Sequence, residues 1–242
     1  IDNIFNSDVT NLPIFQNLNP NINIKIKKTY IDELNYIENL SGNINFNNNK
    51  INDLKLESSF SNGKKINLIV KTNGNFGTIT KLFTDYPKPL IKRYDFIKGF
   101  EEGNLEFYST KKDDVSNSVL IIDNFKIKKV PVFAKILSLA SLQGVADLLT
   151  GEGIRFTDFE MNFSNKKGLT TIDEMYAIGP AVSILMDGYI ETEKLVSLRG
   201  TLVPATTINR SIASIPLLGK ILIGGKTGEG VFGVSFKMKG LP

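Results

Sequence analysis

Leu198 to Gly240, LRGTLVPATTINRSIASIPLLGKILIGGKTGEGVFGVSFKMKG, decides how the rest of the chain is read. Thr201 and Val203 alternate with Leu202, and Val231, Gly233, Ser235 and Lys237 alternate with Phe232, Val234, Phe236 and Met238. That period of two belongs to a half-buried strand. Between the two strands the sequence predicts a pair of short apolar helices. Thr206 and Thr207 suit a capping turn, Ile208 to Ile215 has helix-forming composition, Pro216 suits a first helical position, and Gly224 with Gly225 stops the run. A sheet whose strands are joined by apolar helices instead of a polar turn has something to cover.

The same alternation runs outward through the chain. It appears at Asn21 to Lys27, Asn43 to Phe46, Leu54–Leu56, Ile66–Val70, Leu105–Phe107, Val119–Ile121, Phe125–Ile127, Ile154–Phe156, Phe159–Phe163, Leu169–Ile172 and Val182–Ile190, with turn residues such as Asn62-Gly63 between. This is the pattern of an antiparallel meander, and GNINF at Gly42 recurs as GNLEF at Gly103, a weak strand-turn-strand repeat. Thr78 to Gly99 breaks the pattern: Pro87 and Pro89 forbid a central strand, and ITKLF ahead of them reads as a short helix in a crossing between two sheet portions. PVFAKILSLASLQGVADLLT, residues 131–150, is the clearest helical region, apolar nearly all round and interrupted at Gly144. It fits a core helix closing the open end of a sheet better than a plug touching lipid.

The expected architecture is therefore mostly β, with helices only near 131–150 and 208–223. It forms a single unit over 1–242, with a β-meander over 1–130 and a part carrying the helical inserts over 131–242.

Composition narrows function more by what is missing. The chain has 242 residues, 41% of them hydrophobic and 22% charged, as in an ordinary globular protein. A net charge of +4 is spread out in pairs such as Lys27-Lys28, Lys64-Lys65 and Lys128-Lys129, short of a nucleic-acid footprint. With no His and no Cys there is no default general base at neutral pH, no thiol nucleophile and no zinc knuckle. Absence of Cys also suits an oxidising compartment. The opening IDNIFNSDVTNLPIF lacks a basic region ahead of an apolar run, and no apolar run reaches the ~18 residues of a membrane span. The expectation is either a cytosolic protein or a piece of something longer.

Apparent motifs dissolve on inspection. GKILIGGKT (Gly219 to Thr227) misses the phosphate-loop spacing by one position, because Lys220 stands where the first Gly belongs. GEGVFG (Gly228 to Gly233) matches the dinucleotide fingerprint but precedes a strand, where a helix N-terminus must receive the pyrophosphate. The pairs Asp32-Glu33, Glu101-Glu102 and Asp113-Asp114 point to opposite sheet faces when on strands, and Ser211 and Ser214 have no His to activate them. No catalytic constellation emerges, and the expectation is a non-enzymatic protein with no cofactor and no metal.

Three segments carry a resemblance: VPVFAKILSLASLQGVADLLTGEGIRF (Val130 to Phe156), IGPAVSILMDGYI (Ile178 to Ile190) and the opening Leu198 to Gly240. They resemble the C-terminal region of the AsmA-like superfamily, in particular its YhdP-type members. The resemblance implies a long antiparallel sheet folded into an apolar groove, a β-taco. It also implies a periplasmic location, with an inner-membrane anchor helix that this chain lacks, and phospholipid transport towards the outer membrane. Implied partners are phospholipid, a membrane surface and inner- or outer-membrane proteins. In such a groove the residues expected against acyl chains are Val182, Ile184 and Met186 on the strand side, and Leu217, Leu218, Ile221 and Leu222 at the helical end. The alternative is a periplasmic scaffold that offers an edge strand to outer-membrane proteins during assembly.

Overall fold

The structure is a computed structural model that describes residues 19–47, 50–74, 77–93, 98–128, 153–204 and 233–241. The described residues form twelve strands in one antiparallel sheet whose spatial order is the sequence order. The strands are β1 Asn21–Tyr30, β2 Tyr36–Asn47, β3 Lys50–Phe60, β4 Lys65–Asn73, β5 Gly77–Thr84, β6 Phe100–Lys112, β7 Val115–Ile127, β8 Ile154–Lys166, β9 Leu169–Ile178, β10 Val182–Glu191, β11 Leu195–Pro204 and β12 Val234–Gly240; one helix, α1, covers Lys88–Arg93. Among the described strands the sheet is open, with β1 and β12 outermost. The expected helical regions 131–150 and 208–223 lie outside the described residues.

Register shows why the alternating sequence makes one apolar face. Residues paired across antiparallel strands share a face. Leu54 pairs with Ile44 and Val70, Leu82 with Leu68 and Phe107, and Leu120 with Phe107 and Met161. The row continues as Met161–Met175–Met186–Gly200–Phe236. The other face carries rows such as Asp187–Arg199–Lys237 and Lys55–Asn43. β7 and β8, either side of the expected boundary near residue 130, are neighbours in this same sheet.

The pairing of Ile79 with Lys71 and Thr110 corrects one expectation, since Ile79 to Phe83 is strand β5 and not a helix. Thr78, Ile79 and Thr80 are β-branched and favour extended backbone, and Leu82 completes the apolar row between two neighbours. The helix of this segment falls later, at α1, so helices are not confined to the two expected regions. Pro89 stands in its first turn, Lys92 and Arg93 in its last, an order favourable to the helix dipole. Pro87, Pro89 and Ile91 are buried, and the Arg93 guanidinium donates to the Ile31 carbonyl, tying α1 to the β1–β2 turn.

The two ends of the strands differ. At one end every connection is short: Asp113–Asp114, Lys167–Gly168, Thr192–Lys194, and the links from Asn47 to Lys50 and from Asn73 to Gly77. At the other end lie the α1 crossing and the two long connections, from Ile127 to Ile154 and from Pro204 to Val234. Near that second end the strands are kinked by left-handed residues: Asn39 in β2 (φ 53°), Glu102 and Gly103 in β6 (64° and 86°) and Asn124 in β7 (52°). Apolar residues three apart, Ile122 and Phe125 in β7 and Phe156 and Phe159 in β8, are buried in a single cluster, although β8 itself has no left-handed residue. Phe125 stacks on Phe100 (5.4 Å) and Phe156 (5.3 Å) and meets Phe159 edge-on at 6.1 Å. Burying a ring of this size contributes about 1.5–3 kcal/mol. The aromatic centre of the core therefore sits at the kinked end.

Candidate functional site

The feature with the greatest reach is the apolar face. Its floor, at the kinked end, is closed: Ile122, Phe125, Phe156, Val182 and Leu202 are almost fully buried. Elsewhere on the face half-buried side chains remain accessible, including Leu82, Phe107, Phe163, Met175, Leu198, Phe236 and Met238. Among them the face carries hydroxyls that satisfy one another. Thr72 and Thr78 approach to 3.1 Å, and Ser118 donates to Ser109 at 2.9 Å. Such pairs place polar atoms on an apolar surface without leaving a buried donor unmet.

Val182, Ile184 and Met186 all lie on this face, Ile184 between Ala177 and Leu202 and Met186 between Met175 and Gly200. They are 1%, 6% and 8% exposed, so they belong to the floor and leave the accessible belt to their neighbours. Leu217, Leu218, Ile221 and Leu222 lie outside the described residues, as do the phosphate-loop and dinucleotide look-alikes apart from Gly233. Accessible apolar residues that sequence reasoning had not singled out for the face, such as Met175 and Leu198, become visible only through cross-strand register.

The acidic pairs have structural partners. Asp32 accepts from the Asn35 side chain first, and also from the backbone N–H groups of Leu34 (2.8 Å) and Asn35 (2.7 Å), which hold its carboxyl below the usual range. Glu101 pairs with Lys128 at 2.8 Å, a hydrogen bond that lowers its carboxyl, and Glu102 pairs with Arg155 at 2.9 Å. Asp113 and Asp114 form the β6–β7 turn, with Asp114 3.2 Å from Lys167.

The polar face holds a carboxylate group that no sequence motif announced. Asp123 stands directly opposite Asp158, with Glu106 nearby. Burial, then Asp158, then Glu106, push the Asp123 carboxyl above its ordinary value. Glu160 accepts from the Tyr176 hydroxyl at 2.8 Å and from Asn162 at 2.8 Å; burial first and this bond second raise the Tyr176 phenol well above its ordinary value. Further along, the Arg199 Nε donates to both oxygens of Asp187, at 3.0 and 2.8 Å. Among the described residues no three His, Cys, Asp or Glu side chains converge as metal ligands, and no helix is long and apolar enough to cross a membrane.

The chain matches no family model, no curated protein and no solved structure.

Proposed function

We propose that the apolar face lines a trough, of the β-taco kind, that shields phospholipid acyl chains. In this reading the chain is the C-terminal segment of an AsmA-like, YhdP-type envelope protein. That protein would be held to the inner membrane by a helix outside this chain and pass phospholipid across the periplasm to the outer membrane. The observation that carries the reading is the apolar row that crosses the sheet from Leu56 to Phe236 with a gap at Gly200, backed by an opposite face with charged rows such as Asp187–Arg199–Lys237. Covering such a surface with acyl chains removes apolar area from water at ~25 cal/mol per Å², with no specific polar contact needed. Head groups stay at the rim, and a lipid slides because no position along the row is much deeper than the next. The face requires no cofactor and no catalytic residue for this task.

The test is mass spectrometry of lipid extracted from the purified chain and after incubation with phosphatidylethanolamine/phosphatidylglycerol vesicles. Leu198→Asp and Phe236→Asp, in the accessible belt, are expected to lose lipid while remaining folded. Lys237→Asp, on the opposite face, is expected to keep it. Ile184→Asp would report mainly on stability, because the side chain is buried. A folded wild type that takes up no phospholipid defeats the proposal.

The second reading, a scaffold that lends an edge strand to outer-membrane proteins during assembly, is favoured by the open form of the sheet, with β1 and β12 outermost among the described strands. Photocrosslinkers on β1 or β12 would then capture unfolded client, whereas those at Leu198 or Phe236 would capture nothing.

A further inference from the structure

The charged face carries an inference of its own, independent of what fills the apolar one. Two neighbouring rows run from β10 across β11 to β12 on that face, Asp187–Arg199–Lys237 and Leu185–Thr201–Ser235. Arg199 and Thr201 are two apart on β11, and Ser235 and Lys237 two apart on β12, so all four side chains leave the sheet on the same side. Their Cβ atoms mark a rectangle ~5 Å across the strands and ~7 Å along them. With Leu185 and Asp187 these residues line an open hollow of about 610 Å³.

Each corner supplies a hydrogen-bond donor. The Arg199 Nε donates to both oxygens of Asp187, which orients the guanidinium and leaves its two terminal nitrogens without a partner among the described residues. Lys237 is exposed and forms no ion pair among those residues. The Thr201 and Ser235 hydroxyls lie 3.3 Å apart, and a bond between them uses one hydrogen and leaves the other free to donate.

The same arrangement carries a cost that an anion removes. Arg199 stands directly opposite Lys237, and like charges in that position are destabilising. Asp187 answers only one of the two cations, from the far side of Arg199, so the hollow keeps an excess of positive charge. A guanidinium held in place by a carboxylate, beside an ammonium and a hydroxyl donor, is a setting for a tetrahedral oxyanion. A planar carboxylate has only two oxygens and would leave the hydroxyl corner unused.

From this we infer that the rectangle binds a phosphate group. The Arg199 terminal nitrogens and the Lys237 ammonium donate to its charged oxygens, and the Thr201–Ser235 pair gives one further bond. The phosphate is either that of a small soluble ligand or that of an anionic lipid head group.

Calorimetric titration of the purified chain with inorganic phosphate at low salt is expected to show saturable binding. Arg199→Gln and Lys237→Gln should each weaken it about fivefold, as the loss of one exposed charged contact does. Thr201→Val, which keeps the shape and removes the hydroxyl, should weaken it about threefold. Lys81→Gln, on the same face in β5, should leave it unchanged. Circular dichroism checks that each variant is folded. Co-sedimentation with phosphatidylglycerol vesicles then separates the sources. Vesicle binding that falls with Arg199→Gln assigns the phosphate to a lipid head group, and phosphate binding with no such fall assigns it to a soluble ligand. A folded wild type that shows no saturable phosphate binding overturns the inference, as does binding that the Arg199 and Lys237 variants leave unchanged. Equal weakening by Lys81→Gln and Arg199→Gln also overturns it, because diffuse net charge would then be the cause.

Discussion

The two ends of the strands solve the same problem differently. At the hairpin end, tight polar turns such as Lys167-Gly168 return the chain, and the apolar face thins into half-buried side chains and paired hydroxyls. At the kinked end, left-handed residues interrupt β2, β6 and β7, and aromatic rings from neighbouring strands stack on one another. A regular strand can offer one face only every second residue. The difference teaches that the aromatic part of the core is gathered where the alternation fails, whereas where it holds buried side chains such as Leu54, Val70 and Ile172 sit among half-buried ones. Here the aromatic stack of Phe100, Phe125 and Phe156 is separated along the strand axis from the half-buried Phe163, Leu198 and Met238.

The largest expected effect tests that separation. Phe125→Ala, in the aromatic stack, should cost about 3–5 kcal/mol in urea unfolding. Phe163→Ala, on the same face towards the hairpin end and 6.5 Å from Phe107, should cost roughly 1–2 kcal/mol, because the ring is only partly buried. Equal losses at the two positions would break the comparison.

A middle-sized effect concerns the kink itself. At Gly103 φ is 86°, and an added Cβ would stand 2.9 Å from both the Asp123 carbonyl and the Phe125 Cβ. Gly168 has a similar φ of 84° but only the Thr192 side chain nearby, no closer than 3.7 Å. Gly103→Ala should therefore cost about 2–3 kcal/mol, strain plus a clash with the core strand. Gly168→Asn should cost under about 1 kcal/mol, since Asn tolerates this backbone and the space is open. Thermal melts of the pair would sharpen the picture: a larger loss at Gly168 would mean that the hairpins, and not the kinks, hold the sheet in shape.

What was legible in the sequence follows the same division. Alternation at Asn21–Lys27, Ile66–Val70 and Val182–Ile190 was enough to read the strands, because a period of two in the sequence belongs to extended backbone whatever the depth of each face. β5 was missed because Pro87 and Pro89 weigh on the whole segment, although their effect stops short of Thr84. The kinks were hard to read: Asn124 and Gly103 are types that tolerate a positive φ but Glu102 is not, and only the three-dimensional packing shows that Ile122 and Phe125 are buried in one cluster. GNINF and GNLEF look alike but use their glycines differently, Gly103 for its φ and Gly42 because the Lys55 carbonyl would stand 2.0 Å from a Cβ. Strand parity put Val182, Ile184 and Met186 on one face. Their depth depends on neighbours from β9 and β11 that sequence order cannot supply.

The smallest effect lies on the polar side of the kinked end. Asp123 and Asp158 face each other across β7 and β8, and like charges directly opposite are destabilising. Burial and these neighbours raise the Asp123 carboxyl above its unfolded value. A group with a raised folded value contributes most to stability below its unfolded pKa, and that contribution is lost as pH rises through the folded one. At pH 7 the charged Asp123 is thus a net cost. Asp123→Asn should stabilise the fold by about 0.5 kcal/mol near pH 7, and the gain should shrink towards zero below pH ~3.9, where the wild-type carboxyl is protonated in both states. Asp32 and Glu101, held below their usual range by Asn35 and Lys128, act with the opposite sign and weaken both proteins on acidification. The informative quantity is therefore the difference between variant and wild type at each pH, from paired urea titrations. A difference that stays constant from pH 3 to 8 would mean that Asp123 acts through shape and not charge. The kinked end would then be optimised on both of its faces.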